Sequence, residues 1–132
     1  MALSGKRVLV TRSAEQAEEL AALVRRAGGV PVLFPTIRLM LPDDCGPLDR
    51  EIGRLSSFDW VLFTSANAAR FFRERAERLG MAAWPSAVRA ASVGPGTSRE
   101  LASRGVPVHL TAAVHTGEGL HEALKACGVC GG

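Results

Sequence analysis

The sequence predicts an α/β protein built on parallel strands with helices packed on the sheet faces. Two observations carry that expectation. A short apolar run ends three times in a small, hydroxyl-rich turn that opens a helix: Val8-Leu9-Val10-Thr11-Arg12-Ser13, Val61-Leu62-Phe63-Thr64-Ser65-Ala66-Asn67 and Ala91-Ser92-Val93-Gly94-Pro95-Gly96-Thr97-Ser98. Strand and helix patterns also alternate along the whole chain, the grammar of βαβ units whose right-handed crossovers keep strands parallel.

The elements follow in order. Residues 7–11 form a β-branched strand, and apolar positions Ala17, Leu20, Ala21, Leu23 and Val24 place a helical stripe over 15–27. Ser13 and Gln16 have the spacing of a capping box at the start of that helix. Gly28-Gly29 ends it, and residues 30–34 make the next strand before Pro35. Thr36 to Leu41 alternates apolar and exposed positions, and Pro42-Asp43-Asp44-Cys45-Gly46-Pro47 is the richest breaker cluster and best internal boundary.

Leu48, Ile52 and Leu55 then mark a short amphipathic helix, and residues 59–63 a buried strand. A helix over 66–79 is expected to bury Ala69, Phe72, Ala76 and Leu79. Trp84-Pro85 breaks the chain, residues 88–93 are a strand, and 97–103 a helix stopped by Gly105. Pro107 assigns the strand over 106–110 to a sheet edge. Thr116 has the chemistry to cap a last helix over 118–126.

With 132 residues, 47% hydrophobic and 22% charged, the chain is long enough for an ordinary core, and one domain is the default. Its net charge is +3, but the cations are interleaved with acids, as in Arg70-Phe71-Phe72-Arg73-Glu74-Arg75. That pattern reads as a solvated helix face, and with 5% aromatics and no Tyr it argues against a base-stacking nucleic-acid surface. A mild positive bias suits an acidic small molecule. The first residues show no signal-peptide pattern and no segment has the length of a membrane helix, so the expectation is a cytoplasmic protein without a membrane role.

The three turns carry the chemistry. Each sets unbonded backbone N–H groups and hydroxyls at a helix N-terminus, which attracts anions. If the strands are parallel, the turns lie along the carboxyl edge of one sheet or of two facing sheets, where open α/β folds bind ligands. The candidate binding residues are Thr11, Arg12 and Ser13 in the first turn, Thr64, Ser65 and Asn67 in the second, and Gly94, Gly96 and Thr97 in the third. The same residue types also cap helices, and Arg12 also suits a surface ion pair. Gly94-Pro95-Gly96 lacks the third glycine and downstream acid of a dinucleotide fingerprint, and the strand ends lack the acids of a receiver domain.

Taken together, Val8 to Arg12, Phe34-Pro35, Asp59 to Ala68, Ala91 to Thr97 and Thr116-Gly117-Glu118-Gly119-Leu120 resemble, in order and spacing, the N-terminal half of the uroporphyrinogen-III synthase family. The resemblance implies parallel-sheet, flavodoxin-like domains of that type, here as one of two sequence repeats. It implies dehydrative cyclisation of hydroxymethylbilane to uroporphyrinogen III with inversion of the last pyrrole ring, without metal or organic cofactor. A tetrapyrrole polycarboxylate as ligand agrees with the amide-rich turns. The implied mechanism leans on the substrate: a pyrrole nitrogen expels a hydroxyl, and the resulting azafulvene is attacked to give a spiro intermediate. The family Tyr sometimes proposed as an acid lies beyond this chain, so no catalytic residue is assigned.

By the same resemblance residues 1–35 are a β-α-β unit of a first, discontinuous domain, 36–41 an inter-domain linker strand, and 42–132 a second, incomplete α/β domain. A lone β-α-β unit cannot bury both faces of its strands. It either folds back into one five-stranded domain, exchanges with a second chain as a swapped homodimer, or awaits a complementing second half; exchange or intimate dimerisation is favoured here over the compact monomer. The alternative function is a non-catalytic α/β domain that binds a polycarboxylate or serves as an interaction module. Cys127-x-x-Cys130, with His115 and His121 nearby, reads as an incidental tail rather than a metal site, because it follows a helix and lacks a second ligand pair.

Overall fold

The computed structural model describes residues 2–129; Cys130, and with it the Cys127-x-x-Cys130 pair, lies outside the described residues. The chain divides at the Pro42–Asp43 bond into two compact units. The strands form two sheets, one of two strands and one of three, and the described residues make no single five-stranded sheet.

In the first unit β1 (Arg7–Val10) and β2 (Val30–Leu33) pair in parallel and are joined by α1 (Ala14–Arg26). Pro31 is tolerated in β2 because the ladder runs through Val30 N–H to Lys6 O at 2.8 Å and Phe34 N–H to Val10 O at 2.9 Å. The missing N–H of Pro31 points away from β1, as an edge strand permits. Ala17, Ala21 and Val24 of α1 are buried, as is Val10. Gly28, with φ of +81°, supplies the left-handed turn that ends the helix.

Two local expectations fail here. Ser13 precedes α1, but its hydroxyl makes no hydrogen bond. The N–H of Gln16 bonds the Ser13 carbonyl at 3.0 Å, so the donor a capping box would use is already taken by main chain. Residues 36–41, expected as a linker strand, carry no strand, because nothing among the described residues offers them a ladder partner.

The second unit opens with α2 (Gly46–Gly53) and a 3₁₀ turn (Leu55–Ser57), then alternates β3 (Trp60–Phe63), α3 (Ala66–Arg78), β4 (Arg89–Ser92), α4 (Pro95–Ser103), β5 (Val108–Thr111) and α5 (Gly117–Ala126). The strand order is β3-β4-β5, all parallel, with β5 at an edge as Pro107 suggested. One core contains Phe63, Ala69, Trp84, Val88, Ala90, Leu101 and Val106, with Phe72 packed against it. A second, of Ala91, Ala112, Leu120 and Leu124, takes up Trp60 and Leu110, so α5 covers the side opposite α3 and α4. Trp84 donates its indole N–H to Val88 O at 2.7 Å inside the first core. Leu79, expected inside, is 46% exposed, since α3 ends one residue earlier and leaves it past the buried stripe.

The β4–β5 register slips between Ala90 and Ala91, where Ala90 faces Val108 and Ala91 faces Leu110. The N–H of Ala90 is not orphaned by the slip: it donates to Nδ1 of His109 at 3.2 Å.

Candidate functional site

Parallel pairing sets Phe63, Ser92 and Thr111 level at the carboxyl ends of β3, β4 and β5. The second and third turns therefore share one edge of one sheet, together with the start of α5. In the second turn, the hydroxyl of Ser65 accepts the N–H of Ala68 at 3.0 Å, the capping arrangement. Its own O–H remains a donor, because accepting uses only a lone pair. Thr64 is exposed and Asn67 half-buried, and neither side chain has a hydrogen-bond partner among the described residues.

In the third turn no side chain caps α4. Ser98 N–H bonds Gly94 O at 3.0 Å, while Gly96 and Thr97 N–H groups have no acceptor among the described residues. Thr97 is 5% exposed, lying on the buried side of α4 with Leu101. At Gly94 the His115 ring packs closely on the turn: an added Cβ would sit 3.1 Å from its Cγ.

The first turn belongs to the other unit. The Thr11 carbonyl accepts both N–H and hydroxyl of Thr36, at 3.4 and 3.0 Å. Arg12 is exposed without an ion-pair partner among the described residues, and Ser13 is buried. A cavity of about 360 Å³ lies at the start of α1, lined by Ala14, Glu15, Pro35, Thr36, Ile37 and Arg38.

Three hydroxyls that the sequence reading did not single out meet at the edge of the three-stranded sheet. Ser92 and Ser98 are 2.6 Å apart and Ser98 and Thr111 2.8 Å, a chain running from a sealed position to solvent. Only the β4–β5 pairing brings Thr111 to Ser92, which no local sequence signal discloses. Among the described residues no group of three or more His, Cys, Asp or Glu is placed to hold a metal ion, and no helix is long and apolar enough to cross a membrane.

Helices on both faces of a parallel sheet, with the crossover turns gathered at the strand carboxyl ends, define an open-sheet α/β protein. Residues 18–131 match the profile of the uroporphyrinogen-III synthase HemD family. The chain is 36% identical over 105 residues to the uroporphyrinogen-III synthase of Synechococcus elongatus, covering 78% of this chain and 39% of that protein. It is 28% identical over 123 residues to the porphyrin biosynthesis protein HemD of Ruminiclostridium josui, covering 92% and 24%. In fold it is similar to the uroporphyrinogen III synthase of Thermus thermophilus (TM-score 0.58, 21% identity, 93% of this chain and 47% of that one). The Helicobacter pylori uroporphyrinogen-III synthetase gives TM-score 0.57 at 20% identity, over 95% and 55%. The chain belongs to the uroporphyrinogen-III synthase family. It spans about half or less of the length of these relatives.

Proposed function

We propose that this chain supplies half of a uroporphyrinogen-III synthase, which closes hydroxymethylbilane into uroporphyrinogen III with loss of water and inversion of the last ring. The observation that carries the reading is that the starts of α3, capped by Ser65, and of α4, which no side chain caps, share one carboxyl edge of the three-stranded sheet. Thr64, Ser65, Asn67, Gly94, Gly96 and Thr97 there, with Thr11, Arg12 and Ser13 on the first unit, are the proposed carboxylate contacts. Amide dipoles and hydroxyls are suited to folding a flexible polycarboxylate and to stabilising charge as the substrate's own pyrrole nitrogen expels the hydroxyl. The sequence contains no Tyr, so no tyrosine of this chain serves as acid.

Residues 1–35 are proposed to belong to a first domain, 36–41 to a linker and 42–132 to a second, incomplete domain. The support is chemical. Leu9, Val30, Leu33, Phe34, Ile37 and Met40 are exposed, an apolar set that β1, β2 and α1 do not cover. A second copy exchanging its β-α-β unit, or a separate second half, would cover it, in a cytoplasmic setting. The same turns, with no catalytic side chain assigned among them, favour a second reading, a polycarboxylate-binding module without catalysis.

The test is turnover of hydroxymethylbilane with separation of the type III and type I isomers. Type III above the spontaneous background establishes the synthase. Type I alone, with calorimetric binding of uroporphyrinogen, leaves the binding module.

A further inference from the structure

We propose that Ser92, Ser98 and Thr111 form a directional hydroxyl chain that positions the first turn of α4, with exposed Thr111 on β5 as the end that sets its direction. The consequence for a ligand rests on reading this sheet edge as the binding edge.

The chain joins β4, α4 and β5 through side chains that are sealed, half-buried and exposed in turn. Ser92, 0% exposed at the end of β4, is fixed from both neighbouring strands: Val93 N–H bonds Phe63 O and Ala112 N–H bonds Ser92 O, each at 3.0 Å. Its hydroxyl lies 3.2 Å from the carbonyl oxygen of Gly94 and 2.6 Å from the hydroxyl of Ser98. Ser98 in turn lies 2.8 Å from the hydroxyl of Thr111. The direct separation of Ser92 and Thr111, 3.5 Å, is long for a hydroxyl pair, so the link runs through Ser98. The Gly94 carbonyl also opens the α4 ladder by accepting Ser98 N–H at 3.0 Å, and no side chain caps that helix.

Each hydroxyl has one hydrogen, which allows the chain to run in either of two directions. Run inward, Thr111 donates to Ser98, Ser98 to Ser92 and Ser92 to Gly94 O, which then holds two donors. Run outward, Ser92 donates to Ser98 and Ser98 to Thr111, whose hydrogen faces solvent while Gly94 O keeps only the Ser98 amide. The two exclude each other, and successive links polarise one another. A group that accepts from Thr111 therefore selects the outward run and releases the second bond on the carbonyl at the start of α4. Thr111 is thus a positioning residue, acting on the turn through Ser98 and Ser92.

The test uses the whole, isotope-labelled chain and substitutions at exposed Thr111. Thr111→Val keeps the shape and removes the outward acceptor; Thr111→Ser keeps the hydroxyl. The expected result is a displaced Gly94 carbonyl ¹³C resonance in Thr111→Val that Thr111→Ser restores, with both variants melting within a few degrees of the unsubstituted chain. In a Ser98→Ala background, which cuts the middle link, Thr111→Val no longer moves Gly94. A Gly94 carbonyl that stays in place in Thr111→Val, or that moves as far when Ser98 is alanine, overturns the chain. Titration with uroporphyrin III, a fluorescent octacarboxylate, should show affinity weakened about three- to tenfold in Thr111→Val, the range of one net hydrogen bond, and kept in Thr111→Ser. Equal affinity in all forms overturns the consequence for binding and leaves the functional reading standing. No binding by the unsubstituted chain overturns that reading, and the carbon resonances still judge the hydroxyl chain.

Discussion

Asp49 of α2 and Arg75 of α3 form a two-pronged ion pair, with Nε to Oδ1 at 2.7 Å and Nη2 to Oδ2 at 2.6 Å. Parallel double bonding of this kind fixes orientation as well as distance. The Arg75 hydrogen bonds hold the Asp49 carboxyl below its ordinary range, against a smaller opposing effect of burial. A lowered carboxyl pKa stabilises the fold above the ordinary value of about 4, and that contribution is lost as pH falls through the lowered value. Asp49→Asn should therefore reduce the melting temperature by a few degrees at neutral pH. The gap from the unsubstituted chain should close progressively below about pH 4 in circular-dichroism melts. A gap that persists unchanged into acid contradicts the assignment.

Arg73 on α3 is 4% exposed; among the described residues Nε and Nη1 have no acceptor and Nη2 alone is bonded, to Glu77 at 3.0 Å. Burial without full pairing costs more than one half-exposed partner returns. Arg73→Met keeps the stem's packing and removes the unmet donors. Urea unfolding should show a gain of about 1 kcal/mol, and a loss of that size would mean the guanidinium is better satisfied than its geometry states.

Two glycines separate space from strain. An added Cβ at Gly119 would stand 2.0 Å from the carbonyl oxygen of Val114, which is main chain and cannot swing aside. Gly119→Ala should cost about 2 kcal/mol or more and loosen α5. At Gly94 the obstacle is the exposed ring of His115, which can rotate away. Gly94→Ala should leave the melting temperature nearly unchanged while shifting the His115 ring resonances in an NMR spectrum.

The exposed apolar set around β1 and β2 predicts association. Size-exclusion with light scattering should give a mass above one chain at tens of micromolar, and Leu9→Lys with Leu33→Lys should return it to a monomer. A clean monomer of the unsubstituted chain at high concentration rules out exchange.

Much of this architecture was legible because apolar spacing reports burial: the stripe Ala17, Ala21, Val24 is buried where its period puts it, and Trp60 to Phe63 form the expected strand, though Leu62, expected inside, is 47% exposed. Thr116 and Ser65 cap α5 and α3 as their chemistry indicates. Ser13 does not, since whether a hydroxyl or a carbonyl takes one N–H turns on a local geometry no residue type encodes. The candidate edge was legible as turns, but its side-chain company was not. His115 reaches the start of α4 only because a loop well downstream packs on Gly94, and Ser92 meets Thr111 only through strand pairing.

At the slipped register His109 behaves as a surrogate peptide carbonyl. Its Nδ1 stands where a strand carbonyl would, so the imidazole serves as mortar between strands. A replacement such as leucine would leave a peptide hydrogen of the central strand with nothing to hold.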